Sequence, residues 1–66
     1  MKLGQPYQIT FENGIIIVCI VLGDRNNVQD AVEIMESTSD EFPVGKLVSL
    51  NVINNISQKK VIPVNR

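Results

Sequence analysis

The stretch Ile15-Ile16-Ile17-Val18-Cys19-Ile20-Val21-Leu22 constrains this chain more than any other part of it. Six of its eight residues are β-branched, which costs rotamer freedom in a helix and packs well on a pleated surface. Eight residues fall far short of the roughly 20 needed to cross a bilayer as a helix, so no membrane partner is expected. The run has no polar face, so as a strand it asks for cover on both sides. In a chain of 66 residues that cover is a helix of its own or the surface of another copy, and few residues remain to supply the first. A domain of this size hides only about 60% of the surface its unfolded chain exposes, which favours association.

The segments around this run carry strand patterns. Tyr7-Gln8-Ile9-Thr10-Phe11-Glu12 alternates, with Tyr7, Ile9 and Phe11 on one face and Gln8, Thr10 and Glu12 on the other. Asn13-Gly14 follows, the pair that accepts positive φ at both central positions of a type I′ turn, so the first two strands are expected to form a hairpin about it. Gly23-Asp24-Arg25-Asn26-Asn27 reads as a tight polar loop. Val28 to Glu36 is open to two readings. Val28, Val32 and Met35 have helical spacing, while Val32 and Ile34 about Glu33 fit a strand, and the balance favours strand. Ser37 to Glu41 is a polar connection, the longest flexible candidate, closed by Pro43 to Gly45. Lys46 to Ile53 alternates as a fourth strand, with Val48, Leu50 and Val52 on one side. Val61-Ile62-Pro63-Val64 is a short fifth strand whose proline demands an edge or a bulge.

Composition excludes more than it assigns. Hydrophobic residues are 44% of the chain and charged residues 20%, too apolar for intrinsic disorder, so the chain is expected to fold as a single domain over 1–66. Six Lys plus Arg against seven Asp plus Glu give a net charge of −1, so no overall positive field draws the molecule toward nucleic acid. With one cysteine and no histidine there is neither an internal disulfide nor a Cys/His zinc cluster, and no cofactor is expected. The unstapled composition points to a reducing, cytoplasmic setting. Cys19, centred in the most apolar strand, reads as a small core residue rather than a nucleophile. Asp30, Glu33, Glu36, Asp40 and Glu41 read as a solvated face, and nothing in the chain points to an enzyme.

Five short strands with regular turn signals describe an all-β fold, a small, strongly bent antiparallel barrel or sandwich; SH3-like, OB and Sm-like barrels all fit that outline, and periodicity alone does not choose among them. Gly4, the alternating Tyr7, Ile9 and Phe11, the pair Asn13-Gly14, then Asp24-Arg25-Asn26-Asn27 and Asp30-Ala31-Val32-Glu33 together resemble the first sequence motif of the Sm and Sm-like family. Asn26 stands where that family usually has methionine. Ile53-Asn54-Asn55 stands where its second motif has Ile-Arg-Gly. The resemblance implies a homo-oligomeric ring in which the fourth strand of one copy pairs with the fifth of the next, and a pore whose loops bind single-stranded RNA.

On that resemblance the RNA-binding candidates are Asp24, Arg25, Asn26 and Asn27, joined by Asn54 and Asn55 with Lys59 and Lys60 nearby. An asparagine amide presents both a donor and an acceptor to a base edge, and Arg25 suits a phosphate or a stacked base. The bland reading of the first four is a polar turn. Aromatic platforms are scarce: Tyr7 and Phe11 fall on the core face, and Phe42 reads as a plug. The subunit-interface candidates are Val48, Leu50, Val52, Val61 and Val64. The chain is therefore expected to be a ring-forming, non-enzymatic scaffold. The rival is a small SH3-like module, such as a phage or bacterial accessory factor, whose partner is another protein.

Overall fold

A computed structural model describes residues 1–65, at Lys59 the backbone alone. The chain runs β1 (Pro6–Phe11), β2 (Ile16–Arg25), β3 (Val28–Ser37), β4 (Leu47–Ser49), α1 (Leu50–Asn54) and β5 (Gln58–Pro63). All five strands lie in one sheet of order β4-β3-β2-β1-β5, and every neighbouring pair is antiparallel. Residues 28–36 are thus strand, as the alternation about Glu33 suggests. The molecule is a small globule with a radius of gyration of 10.7 Å.

Register explains the core. Tyr7, Cys19 and Ile34 lie in one cross-strand row and Ile9 and Ile17 in the next, so alternate residues of β1, β2 and β3 meet on one face of the sheet. Ile9, Ile17, Cys19, Val32, Ile34 and Ile53 are fully buried there, with Phe11 beside them. Phe42, from the β3–β4 connection, completes the cluster by stacking on Phe11 at 5.5 Å between ring centroids and 11° between planes. The plug reading of Phe42 holds.

That connection is tied rather than loose. The Ser37 hydroxyl donates to the Ser39 carbonyl at 2.8 Å, and the Glu41 N–H reaches the Ser39 hydroxyl at 3.1 Å. Thr38 closes it onto β2 twice, its N–H donating to the Ile16 carbonyl at 3.0 Å and its hydroxyl accepting from the Ile16 N–H at 2.9 Å. These serines and the threonine occupy backbone groups that a free loop would leave to water.

Two expectations need correction. The fourth strand stops at Ser49 instead of reaching Ile53, because the Ser49 hydroxyl accepts from the Asn51 N–H at 3.2 Å and caps α1. Leu50 and Ile53 then share a helical i, i+3 face toward the core, and Val52, which alternation aligned with Val48, points out with 48% exposure. Apolar residues spaced by two and by three overlap here, and period alone does not separate them.

The first hairpin does not turn on a type I′ Asn13-Gly14 pair. Gly14 donates to the Phe11 carbonyl at 3.0 Å, and Phe11 donates to the Ile15 carbonyl at 2.9 Å, giving a three-residue loop with only Gly14 in the left-handed region, at φ 92°. Asn13 uses its side-chain oxygen to accept from the Ile15 N–H at 3.1 Å.

Among the described residues the chain itself lays no second layer over the apolar β2 run. Ile17, Cys19 and Val21 face the core, whereas Ile16 on the other face is 37% exposed and Ile20 and Leu22 are half-buried. Only Val18 of that outer face is buried, in a row between Gln8 of β1 and Glu36 of β3. Gln8 and Glu36 flank Val18 in its row, and the chain itself leaves the rest of this face without a covering layer among the described residues.

Candidate functional site

The loop expected at 23–27 shrinks to two residues. β2 continues to Arg25, which pairs with Val28, and Asn26 and Asn27 make the whole turn at φ 51° and 65°. This is the two-residue type I′ hairpin, and asparagine is the side-chain-bearing residue that tolerates the left-handed region best. The identities of Asn26 and Asn27 therefore follow from backbone geometry without reference to a ligand.

Asp24 is committed locally as well. A register irregularity between Gly23 and Arg25 puts Asp30 at φ 49°, and the Asp24 carboxylate accepts the Asp30 N–H at 3.0 Å, closing the distortion. Arg25 is exposed at the base of the turn.

Asn54 and Asn55 end α1. The Asn54 side-chain oxygen accepts from the Gln58 carboxamide at 3.2 Å, and the Asn55 N–H donates to the Asn51 carbonyl at 3.0 Å. Gln58, just beyond them, opens β5 opposite Phe11, whereas the Asn26–Asn27 turn caps the other end of β2. The two asparagine pairs thus connect to opposite ends of the sheet, and no enclosed cleft joins them among the described residues. Lys60 is exposed on β5, and the side chain of Lys59 lies outside what is described.

The interface candidates divide by element. Val48 is 8% exposed and belongs to this chain's own core. Leu50 and Val52 sit on α1 instead of a strand. Val61 lies on β5, and Val64 follows it, its N–H donating to the Pro6 carbonyl at 2.9 Å. β4 and β5 are the outermost strands of the sheet, so each has one side without a hydrogen-bonded neighbour.

The β5 edge exposes the more apolar surface of the two. Val61 shares a row with Ile9 on the core face and Ile62 a row with Gln8 on the outer face, yet they are 39% and 37% exposed. Apolar surface on both faces of an edge strand favours pairing with another chain, while Lys60 and Pro63 on the same strand oppose it. Pro63 lies within the strand, as an edge proline should. Sequence reading placed a strand here but began it at Val61, missing Gln58 to Lys60 because that segment is polar.

The remaining chemistry is sparse. Cys19 is fully buried, and desolvation raises its thiol to about 11, away from nucleophilic use at neutral pH. No group of three or more His, Cys, Asp or Glu side chains converges as a metal site among the described residues. No helix among them is long and apolar enough to cross a membrane. Comparison with protein-family models, curated proteins and solved structures finds no match for this chain.

Proposed function

We propose that this chain is a Sm-like building block that associates with copies of itself, β4 against β5, into a closed homo-oligomeric ring, and that it acts as a non-enzymatic scaffold. The observation that carries the reading is the β5 edge, where Val61 and Ile62 expose apolar surface on both faces of a strand whose outer side has no neighbour. The complementary open edge, β4, sits at the other end of the same sheet. Head-to-tail contacts of this kind generate rings when the rotation closes. Single-stranded RNA enters the proposal as a surface contact at Arg25 and the Asn26–Asn27 turn rather than as a pocket.

Light scattering behind size exclusion tests the assembly. The expected mass is several-fold that of the chain. A monomer at every concentration would overturn the ring and leave the protein-binding module, with β5 accepting a partner's strand. Titration of uridine-rich and adenine-rich oligonucleotides at low salt tests the RNA contact. Arg25→Ala is expected to weaken binding, and no binding by the unaltered protein removes RNA while leaving the scaffold.

A further inference from the structure

The pair Asn13-Gly14 is spared the type I′ turn, and the loop it makes instead has a chemistry of its own. Among the asparagines of the chain, Asn13 alone precedes a glycine. The backbone nitrogen that follows an asparagine can attack its carboxamide carbon, and a β-branched side chain on that following residue crowds the approach. Val28, Val52 and Ile56 stand in that position after Asn27, Asn51 and Asn55. Gly14 offers no such obstacle. Asn13 and Gly14 are exposed at the loop tip, and a methyl group added to Gly14 would meet nothing within 4 Å beyond its chain neighbours.

Two hydrogen bonds act on this reaction in opposite directions. The Asn13 side-chain oxygen accepts from the Ile15 N–H at 3.1 Å, an Asx turn that folds the carboxamide back along the Asn13–Gly14 peptide. The same N–H stabilises negative charge developing on that oxygen as the carboxamide carbon becomes tetrahedral. Against this, the Gly14 N–H donates to the Phe11 carbonyl at 3.0 Å, and its proton has to leave before the nitrogen attacks. Glu12, Asn13 and Gly14 are all exposed, so this bond opens by local motion of the loop while Phe11 stays buried.

We propose that Asn13 is a site of spontaneous deamidation, in which the Gly14 nitrogen closes a succinimide onto Asn13, and that the bond from Gly14 to Phe11 slows the reaction in the folded chain without abolishing it. The Gly14 nitrogen gives up its proton to solvent base and bonds to Cγ of Asn13. The Cγ–Nδ2 bond breaks, and its electron pair leaves with the nitrogen, which takes up a proton and departs as ammonia. One water then opens the ring. Cleavage between Cγ and the Gly14 nitrogen gives aspartate, and cleavage between that nitrogen and the main-chain carbonyl carbon gives isoaspartate. Water and base are the only reagents, and either product adds one negative charge to a chain whose net charge is −1.

The products differ in what they do to the hairpin. Aspartate keeps a side-chain oxygen for the Ile15 N–H. Isoaspartate routes the main chain through the former side chain, inserting one more carbon into a loop that the Gly14–Phe11 and Phe11–Ile15 bonds close at 3.0 and 2.9 Å. The extra carbon displaces the Gly14 donor and loosens this end of the β1–β2 pair.

The test incubates the folded chain, and the same chain unfolded in urea, at one temperature and one pH just above neutral. Ion exchange resolves the more acidic products, and peptide mass spectrometry locates them. Conversion is expected at Asn13 in both samples, about threefold to tenfold slower in the folded one, the restraint that one backbone hydrogen bond supplies. Asn13→Ser keeps an oxygen for the Ile15 N–H but has no amide to lose, and is expected to remove the main acidic product; circular dichroism shows that it folds. The isolated isoaspartate form is expected to melt about 4 °C or more below the parent, and the aspartate form closer to it.

No conversion at Asn13 in the folded chain by the time the unfolded chain is fully converted would overturn the site. So would an acidic product that peptide mass places chiefly at another asparagine. A folded chain that converts as fast as the unfolded one would overturn the restraining role of the Gly14–Phe11 bond, and equal melting of the two product forms would overturn the effect on the hairpin.

Discussion

Phe42 is the residue on which the core account can be tested hardest, because it belongs to a connection rather than a strand and yet is only 5% exposed. Truncating a buried phenylalanine to alanine costs about 3–5 kcal/mol, through lost transfer energy and the cavity left behind. Loss of the stacked partner of Phe11 belongs to the upper part of that range, since such ring pairs add about 0.5–1.5 kcal/mol beyond area. Phe42→Ala is therefore expected to cost about 4 kcal/mol. A domain of this length has roughly 3–10 kcal/mol in all, so the variant should be close to unfolded in water. Phe42→Leu, which keeps most of the apolar volume, should cost about 1–1.5 kcal/mol. Val44→Ala, two residues away at 67% exposure, should fall within about 0.5 kcal/mol of the parent. Urea titration followed by far-ultraviolet circular dichroism, at one fixed chain concentration so that association contributes equally, measures all three. A Phe42→Ala cost below about 1 kcal/mol, or a Phe42→Leu cost no larger than that of Val44→Ala, would refute this placement of the ring.

Other perturbations address the turns, the cap and the thiol. Asn27→Gly should leave the melting temperature nearly unchanged, while Asn27→Val should lower it by about 5 °C or more, since a β-branched residue at positive φ costs more than about 1 kcal/mol; equal melting temperatures would contradict the left-handed turn. Ser49→Ala should cost about 1 kcal/mol by removing the acceptor for the Asn51 N–H, and Ser49→Asp should recover most of it in the same urea titration. Cys19 should resist a thiol reagent until the chain is unfolded, and labelling of the native protein at the rate of free cysteine would count against its burial. The same thiol sets a pH dependence. Well below its ordinary value of 9.0 it is neutral in both states and stability is unaffected; as pH rises through 9.0 toward about 11 the unfolded chain ionises first, binds fewer protons, and stability falls. Subtracting the profile of Cys19→Ala isolates this effect, and no difference between the two profiles above pH 9.0 would contradict it.

Much of this architecture is legible wherever one period stands alone. Tyr7 to Phe11 alternates without competition, and Ile16 to Leu22 is too β-branched for a helix, so both become strands where expected. Legibility fails where two signals overlap. Leu47 to Ile53 satisfies spacings of two and of three, and the capping hydroxyl of Ser49 decides between them. Asn13-Gly14 has the composition of a type I′ turn, but Asn26-Asn27 takes that geometry because β2 and β3 pair to the residues on either side of it. Of the candidate RNA-binding residues, Asp24, Asn26 and Asn27 have structural duties that their side chains announce equally well, which is why residue type alone did not separate pocket from turn. The open edges of the sheet followed from strand count. Which backbone groups face outward along them depends on register, and no single strand's sequence contains it.

The pairing of β1 with β5 joins Tyr7 to Pro63 across nearly the whole chain. During synthesis, which proceeds from the N-terminus, β1 and β2 can meet across their short turn early, but the far side of β1 stays bare until the last strand leaves the ribosome. A nascent chain stalled before Gln58 would carry β1, with Ile9 and Phe11 on it, as an open edge in place of a strand paired on both sides.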